Sequence, residues 1–240
     1  MVTDQRLVDA FVGFADTLVA EFDTIDFLHT LAETTVELLD ADAVGLMLAD
    51  LRGDLHVVAS SSEEARLLEI FELQHDEGPC LDCYRGGRPV TNVDPDEAER
   101  RWPRLGAAIR DAHFTSVHAL PLRLRNEVIG SMNIFLARPG TLSEADIALG
   151  QGLADIATIG LLQQRAIQEH RVLAEQLQGA LNTRVLVEQA KGVLAERQGL
   201  EMAAAFTVMR SYARRTGRPL RDIAAGIIEG SLTGAVLQGP

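Results

Sequence analysis

Arg184-Val185-Leu186-Val187-Glu188-Gln189-Ala190-Lys191-Gly192-Val193-Leu194-Ala195-Glu196-Arg197-Gln198-Gly199 reads as a helix with two anomalies. Lys191 is the only lysine in a chain whose other 21 basic side chains are arginines. Gly192 stands in the helix interior, where glycine is about 1 kcal/mol worse than alanine. A glycine in that place points to the close approach of something large, either a partner helix or a nucleic acid. Seven residues return to within roughly 20° on a helix, so Arg184, Glu188 and Lys191 share a face. Gly199 sits where a helix C-cap is expected.

Two more helical segments follow. Glu201 to Thr216 ends at Gly217, and Pro219, suited to a first helical turn, opens a third that runs through Glu229. Apolar stripes at helical spacing are Leu186-Ala190-Val193-Leu194, Met202-Phe206-Met209-Ala213 and Leu220-Ile223-Ala224-Ile227, so the three segments are expected to bury one core. Such a unit lies near the lower size limit for stability, and support from the preceding helix is expected. Arg210 and Arg214 lie one turn apart, beside small Ala203 and Thr207. Basic groups next to small side chains suit a phosphate backbone, because charge supplies affinity and missing side chains permit approach. Tyr212, three residues before Arg215, is a candidate for stacking on an unpaired base.

Upstream, Ser143 starts a helix with Glu144 and Asp146 in its first turn, and no proline interrupts it to about Leu181. Leu149, Leu153, Ile156, Gly160, Gln163, Ile167, His170, Ala174, Leu177 and Leu181 recur by four and three. This is the spacing of a parallel two-stranded coiled coil, so a homodimer is expected. The competing reading is that the first half packs on its own domain and only the second half is free.

The N-terminal part alternates helices and strands. Gln5 to Phe22 and the segment from Asp23-Thr24-Ile25-Asp26 through Leu39 read as amphipathic helices. Ala43 to Ala49 and Leu55 to Ser60 read as a hairpin around Asp50-Leu51-Arg52-Gly53-Asp54. A helix is expected over Glu63 to Leu73, then a loop over 75–89 rich in turn formers. Val90 to Val93 reads as a brief strand, and Asp94 to Ala112 as helix interrupted at the packing anchor Trp102-Pro103. Ser116 to Leu124 and Val128 to Ala137 form a second strand pair. The expected class is α+β: an antiparallel sheet with helices, a long connecting helix, and a terminal three-helix module. Boundaries are placed at 1–142, 143–181 and 182–240.

Apolar content of 47% is enough for a packed core. No apolar run approaches the roughly 18 residues needed to span a bilayer, and Met1 to Arg6 lacks the features of a secretory signal; a cytoplasmic location without membrane association is the expectation. The net charge of −13 is uneven: residues 181–240 hold eight basic and five acidic groups, a net of +3, which leaves −16 for residues 1–180. That asymmetry points to a nucleic-acid-facing end, set against the plainer reading of a solvated helical surface.

Cys80 and Cys83 are too few for a disulfide framework or a structural zinc site. Arg85, Arg88 and His75 would lower their pKa toward a reactive thiolate, whereas Asp82 and Glu77 oppose it. His113 and His118 are candidate haem or metal ligands, each also readable as an ordinary core or surface histidine. Nothing identifies a cofactor. Paired carboxylates such as Glu63-Glu64 belong to a polar helix start.

The pattern Arg184-x6-Lys191-Gly192-x-Leu194, Ala205-Phe206-x2-Met209-Arg210-x2-Ala213 and Leu220-x3-Ala224 resembles the ANTAR domain, a three-helix RNA-binding antitermination module, over about 184–229. Met209 stands where leucine is commoner. The resemblance implies binding of tandem stem-loops in nascent RNA, with Ala205, Phe206 and Ala213 packing and Arg184, Lys191 and Arg210 facing RNA. Residues 5–165 resemble a GAF domain of the kind that precedes ANTAR in actinobacterial regulators, through Glu77-Gly78-Pro79-Cys80-Leu81-Asp82, Gly87-Arg88-Pro89-Val90, Trp102-Pro103, Pro121-Leu122-Arg123-Leu124 and Ile129-Gly130. The arginine bias fits a GC-rich genome. A GAF domain implies a pocket for a small ligand of unknown identity. The expectation is therefore a non-enzymatic, dimeric, ligand- or redox-responsive RNA-binding regulator. Alternatives are a redox enzyme resembling free methionine sulfoxide reductases, or a module that docks an acidic protein.

Overall fold

Among the residues described by the computed structural model (4–19, 22–233 and 237), five strands pair antiparallel throughout. They are β1 (Ala43–Ala49), β2 (Leu55–Ser60), β3 (Val90–Val93), β4 (Ser116–Leu124) and β5 (Glu127–Leu136), in the order β2-β1-β5-β4-β3. The period of two along a strand sends alternate residues to opposite faces. On β5, Met132, Ile134 and Leu136 join the core shared with α1 (Asp4–Val19), α2 (Thr24–Leu39) and the start of α7 (Glu144–Gln198). Phe135 faces the other way, into a core built with α3 (Glu63–His75), α5 (Pro95–Arg101) and α6 (Pro103–Asp111).

Local chemistry sets these helix ends. Asp23 accepts from the amides of Ile25 and Asp26, Ser62 from Ala65, and Asp94 from Glu97, each satisfying orphan donors of a first turn. Trp102 is buried between α5 and α6, with the Arg101 guanidinium 4.4 Å from its ring centre, which bears out the anchor read at Trp102-Pro103. The stretch 75–89 is not a loop. It contains α4 (Pro79–Gly86), with Pro79 in the first turn and Gly87 in the left-handed conformation at the C-cap. Its turn formers are the caps of a short helix, and both cysteines lie inside it.

The chain divides into two compact units, Met1–Arg165 and Ala166–Pro240. In the first unit, Leu153, Ala154, Ala157 and Leu161 of α7 are buried in the sheet core, and a Cβ on Gly160 would overlap Leu18. The early positions of the four–three series therefore pack within their own chain, and the exposed part of the series begins at Gln163. α7 is the one helix among the described residues long and apolar enough by composition to cross a membrane; those four residues are spent on the domain core.

The second unit holds the rest of α7 with α8 (Met202–Thr216) and α9 (Leu220–Glu229). The expected break at Leu181 does not occur, because no proline lies between Ser143 and Gly199 and Gly179 is absorbed within the helix. Gly199 and Gly217 adopt φ of 63° and 66° and end α7 and α8. Leu200 N–H bonds to Ala195 and Arg218 N–H to Ala213, the reach-back bonds of a left-handed helix stop. The core joins Val187, Ala190, Leu194, Ala205, Met209, Ala213, Ile223, Ala224 and Ile227. On α8 the buried stripe is Ala205-Met209-Ala213, whereas Met202 is exposed and Phe206 half-buried.

Candidate functional site

The small core of the second unit decides which basic groups face outward. Ala203, Thr207, Arg210 and Arg214 occupy positions i, i+4, i+7 and i+11 of α8, and all four are exposed, forming one face. None of the ion pairs among the described residues engages Arg210, Arg214 or the exposed Arg184. Two other arginines of this unit are occupied. Arg197 donates to the carbonyl of Ile227 at 3.1 Å, and Arg215 donates to that of Leu237 at 3.2 Å while lying 5.4 Å from the Tyr212 ring centre. Tyr212 is half-buried against the core, so its ring already has Arg215 as a partner.

Lys191 is placed differently from the other candidates. Its side chain is only 16% exposed; Nζ donates to both carboxylate oxygens of Glu188 at 2.8 and 3.0 Å and lies 5.6 Å from the Phe206 ring centre. A cation over an aromatic face contributes about 0.5–1 kcal/mol. A long lysine stem can also cover apolar surface. Lys191 thus links α7 to α8, one helix turn from Glu188 and two from Arg184. Gly192, next to it, is half-exposed, and a Cβ there would meet open space.

In the first unit the structure reveals a buried acid cluster that sequence reasoning missed. Glu69 and Glu72 lie on the sheet side of α3 with Ala65 and Leu68, while Leu67 is exposed. Spacings of three, four and seven residues placed them on that face; the acidic side chains themselves disguised it. The Asn133 side chain donates to Glu69 at 2.8 Å, and Gly45, opposite Asn133 on β1, leaves room for the Glu69 carboxyl, which a Cβ would overlap. Burial pushes the Glu69 carboxyl well above its ordinary range, against the bond from Asn133. Glu72 accepts from the Cys80 amide at 3.3 Å and from the Cys80 thiol.

Of the opposing influences on the thiols, those that raise the pKa prevail. Cys80 and Cys83 are fully buried and unpaired to each other. Burial pushes the Cys80 thiol far up, with the charge of Glu72 adding to it, and pushes Cys83 up to about 12. Arg85 is turned away in an ion pair with Asp76. Reactive thiolates need the opposite surroundings.

The two histidines are not brought together as a ligand pair. His113 is exposed, at φ 62° in the turn after α6. His118 is buried on β4, accepting from the Asn92 amide at 2.9 Å and contacting Ser116 Oγ at 3.2 Å, so both ring nitrogens are engaged. Burial lowers its pKa to about 4. A neutral imidazole follows at neutral pH, with no nitrogen left open.

Near the buried cluster, a cavity of about 270 Å³ opens between the β1–β2 turn, α3 and α4, lined by Leu55, Leu73, Leu81, Tyr84, Arg85 and Asp54 among others. Its walls mix apolar Leu55, Leu73 and Leu81 with the charged Asp54, Asp76 and Arg85.

Two family models match the chain: the GAF domain over residues 23–161 and the ANTAR domain over residues 175–228. Among solved structures, the GAF domain of a phosphoenolpyruvate-protein phosphotransferase from Coxiella burnetii is 17% identical with a TM-score of 0.55, covering 70% of this chain and 99% of that one. The free methionine-R-sulfoxide reductase of Neisseria meningitidis is 17% identical with a TM-score of 0.53, covering 70% and 96%. A domain of a putative two-component sensor histidine kinase from Sinorhizobium meliloti is 18% identical with a TM-score of 0.51, covering 62% and 99%. At these identities the likeness shows the fold alone. No curated protein matches the chain. With an antiparallel sensor-type sheet, a long helix and a three-helix terminal module matched in that order, the chain belongs to the GAF-domain family and carries a C-terminal ANTAR domain, the arrangement of a GAF–ANTAR regulator.

Proposed function

We propose that this chain is a homodimeric antitermination regulator in which a ligand in the GAF domain controls how two ANTAR modules engage paired stem-loops in nascent RNA. ANTAR domains bind RNA and act in antitermination, and GAF domains sense small molecules. The observation that carries the reading is the exposed α8 face, where Arg210 and Arg214 stand beside Ala203 and Thr207 without ion-pair partners among the described residues. Arg184, Arg210 and Arg214 are assigned to phosphate contacts, and Lys191, held by Glu188 and Phe206, to the α7–α8 junction. The exposed Ile167, Leu177 and Leu181 support dimerisation, with residues 143–181 as the connector. Two linked modules binding two stem-loops gain affinity through effective concentration.

The cavity beside Tyr84 and Arg85 is the proposed ligand site. Burial of both thiols favours a small ligand over a redox signal as the input, and it equally disfavours a thiol-based reductase. The test is titration of the full chain with single and tandem stem-loop RNAs and with duplex DNA at several salt concentrations. Salt-dependent binding that prefers the tandem RNA is expected. Binding of none of the nucleic acids would leave the acidic-protein docking reading in its place.

A further inference from the structure

Gly192 has no packing reason within its own chain. A Cβ built there meets no atom within 4 Å, whereas at Gly160 and Gly226 it would run into Leu18 and Leu232. In the isolated chain alanine would be the better residue by about 1 kcal/mol. Gly179 of the same helix is equally open, so it is the place of Gly192 among its neighbours that points to something approaching from outside.

Its neighbours on the helix surface say what. Leu177, Leu181 and Val185 are 57–58% exposed, and Glu188 and Gly192 continue the same stripe at steps of three and four. A strict heptad would instead pass through Lys191, but that side is closed by the contacts of Lys191 with Glu188 and Phe206. The open stripe consequently swings to Val185 and Gly192. Apolar side chains recurring by three and four form a surface that another helix of the same period can follow; a phosphate backbone offers them nothing. Exposed Arg184 flanks the stripe and exposed Glu188 lies on it one turn away, so a copy of the same helix brings a complementary charge to each.

Resting on the homodimer reading, we propose that the α7 helices of two copies pack along Leu177, Leu181, Val185 and Glu188 into the ANTAR module, with Gly192 as their point of closest approach. The seam does not stop at the connector. Because α7 runs unbroken to Gln198, packing at Gly192 would set the rotational phase of the two modules directly.

The test uses the full chain without RNA, by sedimentation equilibrium, and then with tandem stem-loop RNA. Gly192→Leu is expected to weaken the dimer at least tenfold and Gly192→Ala to weaken it less. Gly179→Ala, equally open but on another side of the helix, should leave dimerisation unchanged. RNA affinity should fall with Gly192→Leu and recover at protein concentrations that restore the dimer. An unchanged dimer overturns the proposal, and RNA affinity lost with the dimer intact would place Gly192 against RNA instead. Should Gly192→Leu not fold, single cysteines report the seam, since the native thiols are buried. Leu177→Cys and Val185→Cys should cross-link between copies and Val172→Cys, on the far side, should not. Cross-linking through Leu177→Cys but not Val185→Cys overturns the extended seam while sparing the homodimer; a monomeric wild-type chain removes the homodimer reading itself.

Discussion

The carboxyl of Glu72 accepts from two groups of one residue, the backbone N–H and the thiol of Cys80, in a fully buried pair. Gly78 makes this possible, because a Cβ there would overlap the Glu72 side chain. Burial pushes the Glu72 carboxyl up to about 8, outweighing the two bonds from Cys80. Its folded pKa thus lies above the ordinary 4.5 of an unfolded glutamate. The stabilisation is fully present below about pH 4.5 and is lost as pH rises toward 8, a change on the order of a few kcal/mol. Glu72→Gln, which removes the charge and keeps an acceptor, should melt at a higher temperature than wild type at about pH 8.5, and the gap should close near pH 5. Parallel melting curves across that range would contradict this account.

The thiols give a second prediction. With both fully buried and disfavoured as thiolates, a disulfide reagent should label the native protein at least ~100-fold more slowly than the unfolded protein. Mild peroxide should leave RNA affinity unaltered. Rapid native labelling of either cysteine would restore the redox reading.

Removing the cation but keeping the stem separates the roles of Lys191. Lys191→Met should retain the contact with Phe206 and lose about 1 kcal/mol or less of module stability, with RNA affinity reduced less than threefold. Lys191→Ala should lose more stability. A tenfold affinity loss in Lys191→Met at unchanged stability would return Lys191 to the RNA surface.

Arg210→Ala combined with Arg214→Ala should have the converse signature. Both side chains are exposed, so thermal stability should stay within about 0.5 kcal/mol of wild type. RNA affinity should fall tenfold or more, and the slope of log affinity against log salt should flatten by about 1–2. An unchanged slope would remove these arginines from the interface.

Elements whose periodicity is local were legible in the sequence. The strands at 43–49, 55–60, 90–93 and 116–124 and the stops at Gly199 and Gly217 follow from alternation and from left-handed glycines, which need no knowledge of neighbours. The order of the terminal helices and the exposed arginines of α8 followed from spacing in the same way. Where a stretch was misread, a competing local signal was taken at face value. Turn formers at 78–87 proved to be helix caps, and a boundary drawn at Leu181 had no residue to enforce it.

The sequence by itself determined the two-part plan, the antiparallel sheet, the long helix and the basic terminal module, because hydrophobic period and capping chemistry act over a few residues. Tertiary structure alone decided which charged groups are free. Glu69 and Glu72 are inside because α3 turns that face to the sheet; Lys191 is covered because Phe206 of α8 packs beside it. It also decided that Cys80 and Cys83 are shielded and that Gly192 is open. Solvent exposure depends on contacts between residues distant in the chain, and exposure sets whether a carboxylate, a thiol or a lysine is available to a partner.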